Sequence, residues 1–181
     1  MPESLHFTDS DEANALLASD PMALLIGFAL DQQVSVQKAF IGPLVLRERL
    51  GTIDPSALAG ADLEPVFREK PAIHRFPGAM AARVHELAVH VRDNYEGDAA
   101  RIWLDAADAG DLRARIAALP GFGEMKVTAL GAVLSKRFGV GAADELVPSH
   151  PTLGDVDSAQ ALLDYQAGKR AHKADRSRAR N

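Results

Sequence analysis

The sequence predicts an all-α protein. Apolar residues recur at helical spacing in most segments, and Asp-Pro, Ser, Thr or Asp punctuation precedes those segments. No stretch alternates polar and apolar residues over a useful length. Hydrophobic residues make up 47% and charged residues 25% of the 181-residue chain. Those values suit an ordinary globular core, built as one helical domain or as two small helical lobes.

Thr8-Asp9-Ser10-Asp11-Glu12 supplies N-caps and first-turn acids for a short first helix carrying Ala15, Leu16 and Leu17. Asp20-Pro21 then pairs an N-cap with proline at the first helical position. From Met22 to Leu30 the run is apolar on every side, which predicts a fully buried central helix too short to cross a bilayer. Polarity changes abruptly at Asp31-Gln32-Gln33. Asp31 fits a helix end, an ion-pair partner or a catalytic carboxylate.

Val36 and Phe40 continue a helix that Gly42-Pro43 bends or interrupts before Leu44 to Leu50, and Gly51 caps it. Asp54-Pro55-Ser56 and Asp62-Leu63-Glu64 start two short helices, and Lys70-Pro71 closes that section. Met80, Val84, Leu87 and Val91 recur at helical spacing, predicting an amphipathic helix from Pro77 to about Tyr95. Trp103, at the end of Asp98 to Leu104, suits a partly buried core position or a surface on which a base could stack.

The chain is organised around Leu119-Pro120-Gly121-Phe122-Gly123-Glu124-Met125-Lys126. Before it, Leu112 and Ile116 lie at helical spacing, with Asp111 as the expected N-cap. After it, Val127, Leu130, Leu134 and Phe138 form one apolar stripe ended by Gly139, so 111–138 reads as a helical hairpin. Pro120 removes a donor and helps to end the first helix. Gly121 and Gly123 lack a Cβ that would hold a ligand away, and the free N–H groups of the second helix's first turn lie at its positive end. Such a turn suits an anion such as a nucleic-acid phosphate, with Lys126 adding charge. A plain short connection between packed helices has the same spacing.

The absence of cysteine excludes disulfides and any cysteine-ligated iron–sulfur or zinc site. The six histidines form no ligand pattern, and no metal site is expected. The start carries no basic region followed by an apolar run, so a cytoplasmic protein with no membrane partner is expected. Residues 1–165 read as the helical domain and 166–181 as a basic, flexible tail. Lys169, Arg170, Lys173, Arg176, Arg178 and Arg180 face only Asp175 there. With a total of −5, the tail is therefore about +5 and the remainder about −10. A basic arm suits phosphate contacts; a solvated terminus has the same composition.

Two blocks carry a family resemblance. Leu-Pro-Gly-Phe-Gly with a following Lys resembles the helix-hairpin-helix of the base-excision DNA glycosylases, the endonuclease III superfamily. Leu24-Leu25-Ile26-Gly27-Phe28-Ala29-Leu30-Asp31-Gln32-Gln33-Val34 resembles that family's apolar helix ending in a Gln-Gln pair. The blocks occur in the family's order, and together they cover most of residues 20–140. The chain most resembles a small cysteine-free branch described as HhH-GPD-type base excision DNA repair proteins, which also carry Leu-Asp-Gln-Gln.

The resemblance implies a helix-hairpin-helix glycosylase-like fold acting on double-stranded DNA, as a monomer. Leu119, Gly121, Phe122, Gly123, Met125 and Lys126 would contact DNA, and Gln32 and Gln33 would line the pocket for a flipped base. No cofactor is expected, and the hairpin leaves room for a monovalent cation. Family members with lyase activity carry a lysine at the second residue after Gly-x-Gly. Met125 stands there, and Lys126 is a further ~100° around the helix, so a monofunctional glycosylase is expected. The family's carboxylate lies some eighteen residues later in a context this chain lacks. Asp144 is nearest in sequence and Asp31 is the second candidate. A DNA-binding relative without catalysis is the alternative.

Overall fold

The computed structural model describes residues 2–180. Among these residues no strand occurs, and the chain is all-helical. The first helix, α1 (Asp11–Ser19), is capped by Ser10, whose Oγ accepts from the Ala13 amide at 3.1 Å. Asp20 ends α1 by donating its N–H to Leu16 O, and starts α2 (Pro21–Leu30) by accepting from the amides of Met22 at 2.9 Å and Ala23 at 3.3 Å. The Asp-Pro pair thus turns the chain by 114° without an intervening loop.

Every residue of α2 after Pro21 is buried, so α2 forms the centre of the core, as its apolar composition predicts. Gly27 brings α3 (Val36–Leu50) close: a Cβ there would lie 2.4 Å from Cδ1 of Phe40. The Phe40 ring meets Phe28 edge-on at 5.1 Å and Phe7 at 5.0 Å. Of the two outcomes expected at Gly42-Pro43, a bend or an interruption, the interruption does not occur. The break comes earlier, at 31–35, where Gln33 adopts a left-handed φ of 58° and Ser35 caps α3 by accepting from the Lys38 amide. Pro43 is buried against the core, and its missing amide leaves the rest of the helix intact.

The short helices α4 (Pro55–Ala59) and α5 (Leu63–Arg68) pack on α6 (Pro77–Tyr95), whose Met80, Val84, Leu87 and Val91 are buried as the spacing predicts. α7 (Arg101–Leu104) places Trp103 in the core. α8 (Ala109–Ala117) and α9 (Glu124–Lys136) form the hairpin. Two 3₁₀ turns, Gly141–Leu146 and Leu153–Asp155, pack on α9, with Gly131 against Leu146 and Gly154 against the Ala132 carbonyl. The last helix, α10 (Ala159–Arg180), runs unbroken through the segment expected to be a flexible tail. The buried apolar side chains form one continuous cluster from Leu5 to Leu162. Among the described residues no single helix is long and apolar enough to cross a membrane.

The Gly27–Phe40 contact gives a direct test. Gly27→Ala adds about 1 kcal/mol of helix propensity but forces a methyl into a fully buried ring. Denaturant titration is expected to show a net loss of about 1–3 kcal/mol.

Candidate functional site

The hairpin begins three residues earlier than its sequence suggests. Asp108, not Asp111, is the N-cap of α8, accepting from the Asp111 amide at 2.8 Å. Asp111 lies in the first turn, where its carboxylate accepts from the Ala107 amide at 2.9 Å and from Arg115 at 3.1 Å; both bonds hold it below the usual carboxylate range. In the turn, Phe122 N–H donates to Leu119 O at 3.1 Å, and Gly121 adopts φ 80°.

The Gly121 α-carbon is covered by Arg83 of α6: a Cβ there would fall 1.7 Å from Nη1 of that guanidinium. Gly121 therefore serves both the turn and the seating of the Arg83 side chain across it. Gly123 is different. Its φ of −82° suits any residue, and a Cβ would meet nothing within 4 Å. It occupies the N-cap of α9 with no side chain satisfying the first-turn amides, so the helix's positive end is open to an anion.

The hairpin residues divide by role. Leu119 and Phe122 bury their side chains in the core, leaving only backbone for a ligand. Met125 is 85% exposed on the outer face. Glu124 is ion-paired with Arg113 of α8, which engages the one acid at this helix start. Lys126 points inward: its Nζ donates to Ala29 O at 3.1 Å and lies 5.7 Å from the Phe122 ring centroid. Burial pushes its pKa down, Asp31 pushes it up, and Arg83 pushes it down.

Lys126 thus ties the hairpin to the end of α2, where the Asp31-Gln32-Gln33 segment begins. Asp31 is half-buried, and burial raises its pKa while the positive charges of Lys169 and Lys126 lower it in part. Gln32 turns its amide onto the Met80 sulfur of α6 at 3.3 Å, and Gln33 is exposed. The segment is held from below by His74, a residue without a distinguishing sequence pattern. His74 is 1% exposed, and its Nδ1 accepts from the Phe76 amide at 3.0 Å. The proton must therefore sit on Nε2, which donates to Leu30 O at 3.0 Å and Gln32 O at 3.2 Å. Desolvation lowers the His74 pKa; the two carbonyls oppose this, and the charges of Lys38 and Lys126 add to it.

Asp31, Gln32, Gln33, Lys126 and the Gly-x-Gly turn are thus brought into one region. Asp144 is not part of it. It lies exposed in the first 3₁₀ turn and accepts from Ser135 Oγ at 2.6 Å. Ser135 is about 13 Å along α9 from Lys126, so the two candidate carboxylates are held at well-separated points of that helix. Two surface clefts of about 400 Å³ lie elsewhere, one between the start of α2 and the end of α3, the other along α6 beside Pro120, and neither is lined by Asp31. Among the described residues no cluster of three His, Asp or Glu could hold a metal ion. His74 and Arg83 escape sequence reading because the partners that bring them to this region, Leu30 and Gln32 for His74 and Gly121 for Arg83, lie more than thirty residues away in the chain.

His74 predicts a pH dependence. Its folded pKa lies below 6.5, so the unfolded chain binds more protons, and stability present above that pH is lost as pH falls through 6.5 toward the folded value. His74→Ala strands the Gln32 carbonyl and the Phe76 amide and removes one of the two donors to Leu30 O, and should cost about 2–4 kcal/mol at pH 7.5. The same substitution should flatten the acid limb of unfolding free energy between about pH 7 and pH 5. In comparisons with protein-family models, with curated proteins and with solved structures, nothing matches the chain, so the hairpin, the end of α2 and the groups between them must carry the functional reading.

Proposed function

We propose that this protein binds duplex DNA and acts as a monofunctional glycosylase on a damaged or mispaired base, with Asp31 as its carboxylate. The observation that carries the reading is the tie between two features: an uncapped glycine start of α9, and a half-buried carboxylate of raised pKa at the end of α2, joined through Lys126. The first suits a DNA phosphate and the second suits a reacting sugar. In hydrolysis the base departs with the N-glycosidic electron pair. The Asp31 carboxylate stabilises the cationic sugar and accepts a proton from the water whose oxygen bonds to C1′. Gln32 and Gln33 carry amides suited to the edge of a base.

Asp31 is preferred to Asp144 because Asp144 is exposed and is bound by Ser135, about 13 Å along α9 from Lys126. Asp31 lines neither of the two clefts described above, and the second reading is a DNA-binding protein of the same fold without base release.

The experiment measures base release from duplexes carrying alkylated, deaminated or oxidised bases. Asp31→Asn should lower the rate at least about 100-fold, while Asp144→Asn leaves it within a few-fold. Because Asp31 must be ionised and its pKa is raised, the parent's rate should fall with acidification at a pH above 3.8. Equal rates in parent and Asp31→Asn would remove the assignment. No release from any duplex, with binding intact, would leave the non-catalytic reading.

DNA binding at the hairpin has its own test. Gly123→Asp introduces a favoured N-cap at a position of suitable φ, so stability should hold or rise by a few tenths of a kcal/mol. The same carboxylate would occupy and repel the phosphate site. Duplex affinity should fall at least about tenfold; unchanged affinity would exclude the turn as the contact.

A further inference from the structure

The final helix carries a pattern that the hairpin reading does not use. Along α10, Leu162, Gln166, Lys169, Lys173, Arg176 and Arg180 follow one another at alternating steps of four and three residues. At about 100° per residue these six positions lie within about 80° of one another on the helix circumference. The face begins as core: Leu162 is buried. One turn later it is polar, where Gln166 exchanges two hydrogen bonds with Gln37 of α3, at 3.1 and 2.8 Å. From Lys169 onward it is entirely basic, and every residue from 167 to 180 is exposed.

Two further observations fix the direction of this face. Gln37 lies in the first turn of α3, immediately after the Asp31–Ser35 segment, so the Gln37–Gln166 pair sets the helix beside that segment. Lys169, the next member of the face, is near enough for its charge to act on Asp31. Asp175 is the one acid between Lys169 and Arg180 and lies on the opposite side, paired with Arg178 at 3.9 Å. Arg170 and Arg178 also lie off the stripe. The stripe from Lys169 to Arg180 extends about 16 Å, enough to follow several phosphates of a duplex. An acidic body, about −10 by formal charge, leaves this arm as the main long-range attraction for a polyanion.

We infer that α10 is a phosphate-binding arm whose Lys169, Lys173, Arg176 and Arg180 stripe grips the DNA backbone next to the nucleotide presented to the Asp31–Gln33 segment. The inference rests on the DNA reading above and adds a second, independent contact surface to the hairpin. The hairpin offers backbone amides at one point; the arm offers a line of side-chain cations. A helix already formed in the free protein binds without the ordering cost that a disordered tail would meet.

The test is the salt dependence of binding to an undamaged duplex of about 20 base pairs, followed by fluorescence anisotropy. Three full-length proteins are compared: the parent, a stripe variant (K169Q, K173Q, R176Q, R180Q) and an off-stripe variant (R170Q, R178Q). Glutamine preserves helix propensity, and circular dichroism checks that α10 persists. The stripe variant should flatten the slope of log K against log salt by about 2–4, at close to 0.9 for each phosphate no longer neutralised. The off-stripe variant should flatten it by less than about 1. A stripe variant with the parent's slope overturns the arm, while a Gly123→Asp defect in the same assay would keep the hairpin reading. Equal flattening in both variants overturns the stripe geometry in favour of undirected charge. A parent that does not bind duplex, but binds single-stranded RNA or an acidic protein through the stripe, overturns both the inference and the reading beneath it.

Discussion

The constraint on which the rest depends is the end of a buried helix. The carbonyls of the last turn of α2 have no partners within the helix, and α2 is sealed from water along its length. Phe28 O accepts from the Asp31 amide, Ala29 O from Lys126, and Leu30 O from the Gln32 amide and His74. An unsatisfied buried carbonyl costs on the order of 1–3 kcal/mol, so these partners are not interchangeable with solvent. Local backbone, the loop before α6 and the second helix of the hairpin must all converge on one point. The site is a by-product of that convergence: Asp31, the glutamine pair and the glycine turn are gathered because the helix end needs donors.

This explains why two lysines are found near one carboxylate without neutralising its perturbation. Lys126 is committed to a backbone carbonyl and Lys169 is exposed on α10, so burial remains the largest influence on Asp31. The arrangement differs from the surface ion pairs of this protein, such as Arg68–Glu64 or Arg101–Asp105. Those are exposed, spaced i to i+4, and contribute little beyond local helix support. Around the end of α2, as at Arg49 and its three backbone carbonyls, a charged group instead meets backbone polarity in a partly buried setting.

Much of the architecture can be read from local pattern. Asp20-Pro21, Gly51 and the stripe of α6 mark their elements because capping and periodicity are short-range properties. The hairpin is legible for the same reason. Its start is ambiguous because Asp108 and Asp111 both have the chemistry of a cap, and only the backbone decides which carboxylate faces the free amides. The continuity of α3 is hidden because packing of Pro43 and Phe40 outweighs proline's local cost. Long-range partners such as His74 to α2, Arg83 to Gly121 and Gln37 to Gln166 leave no trace at any fixed spacing. Asp144 and Asp31 are equally visible as letters, and only tertiary structure distinguishes an exposed acid held by Ser135 from one half-buried at the end of α2.

The corner at Asp20 has a separate consequence for how this molecule opens. The residue's backbone closes the last turn of α1 while its side chain closes the first turn of α2. A helix end normally frays on its own, independently of its neighbour. Here the amide of Asp20 and those of Met22 and Ala23 are protected by one residue's conformation. Fraying of α1 that moves the Asp20 backbone therefore also disturbs the cap of α2, and the two helix ends are coupled through one residue.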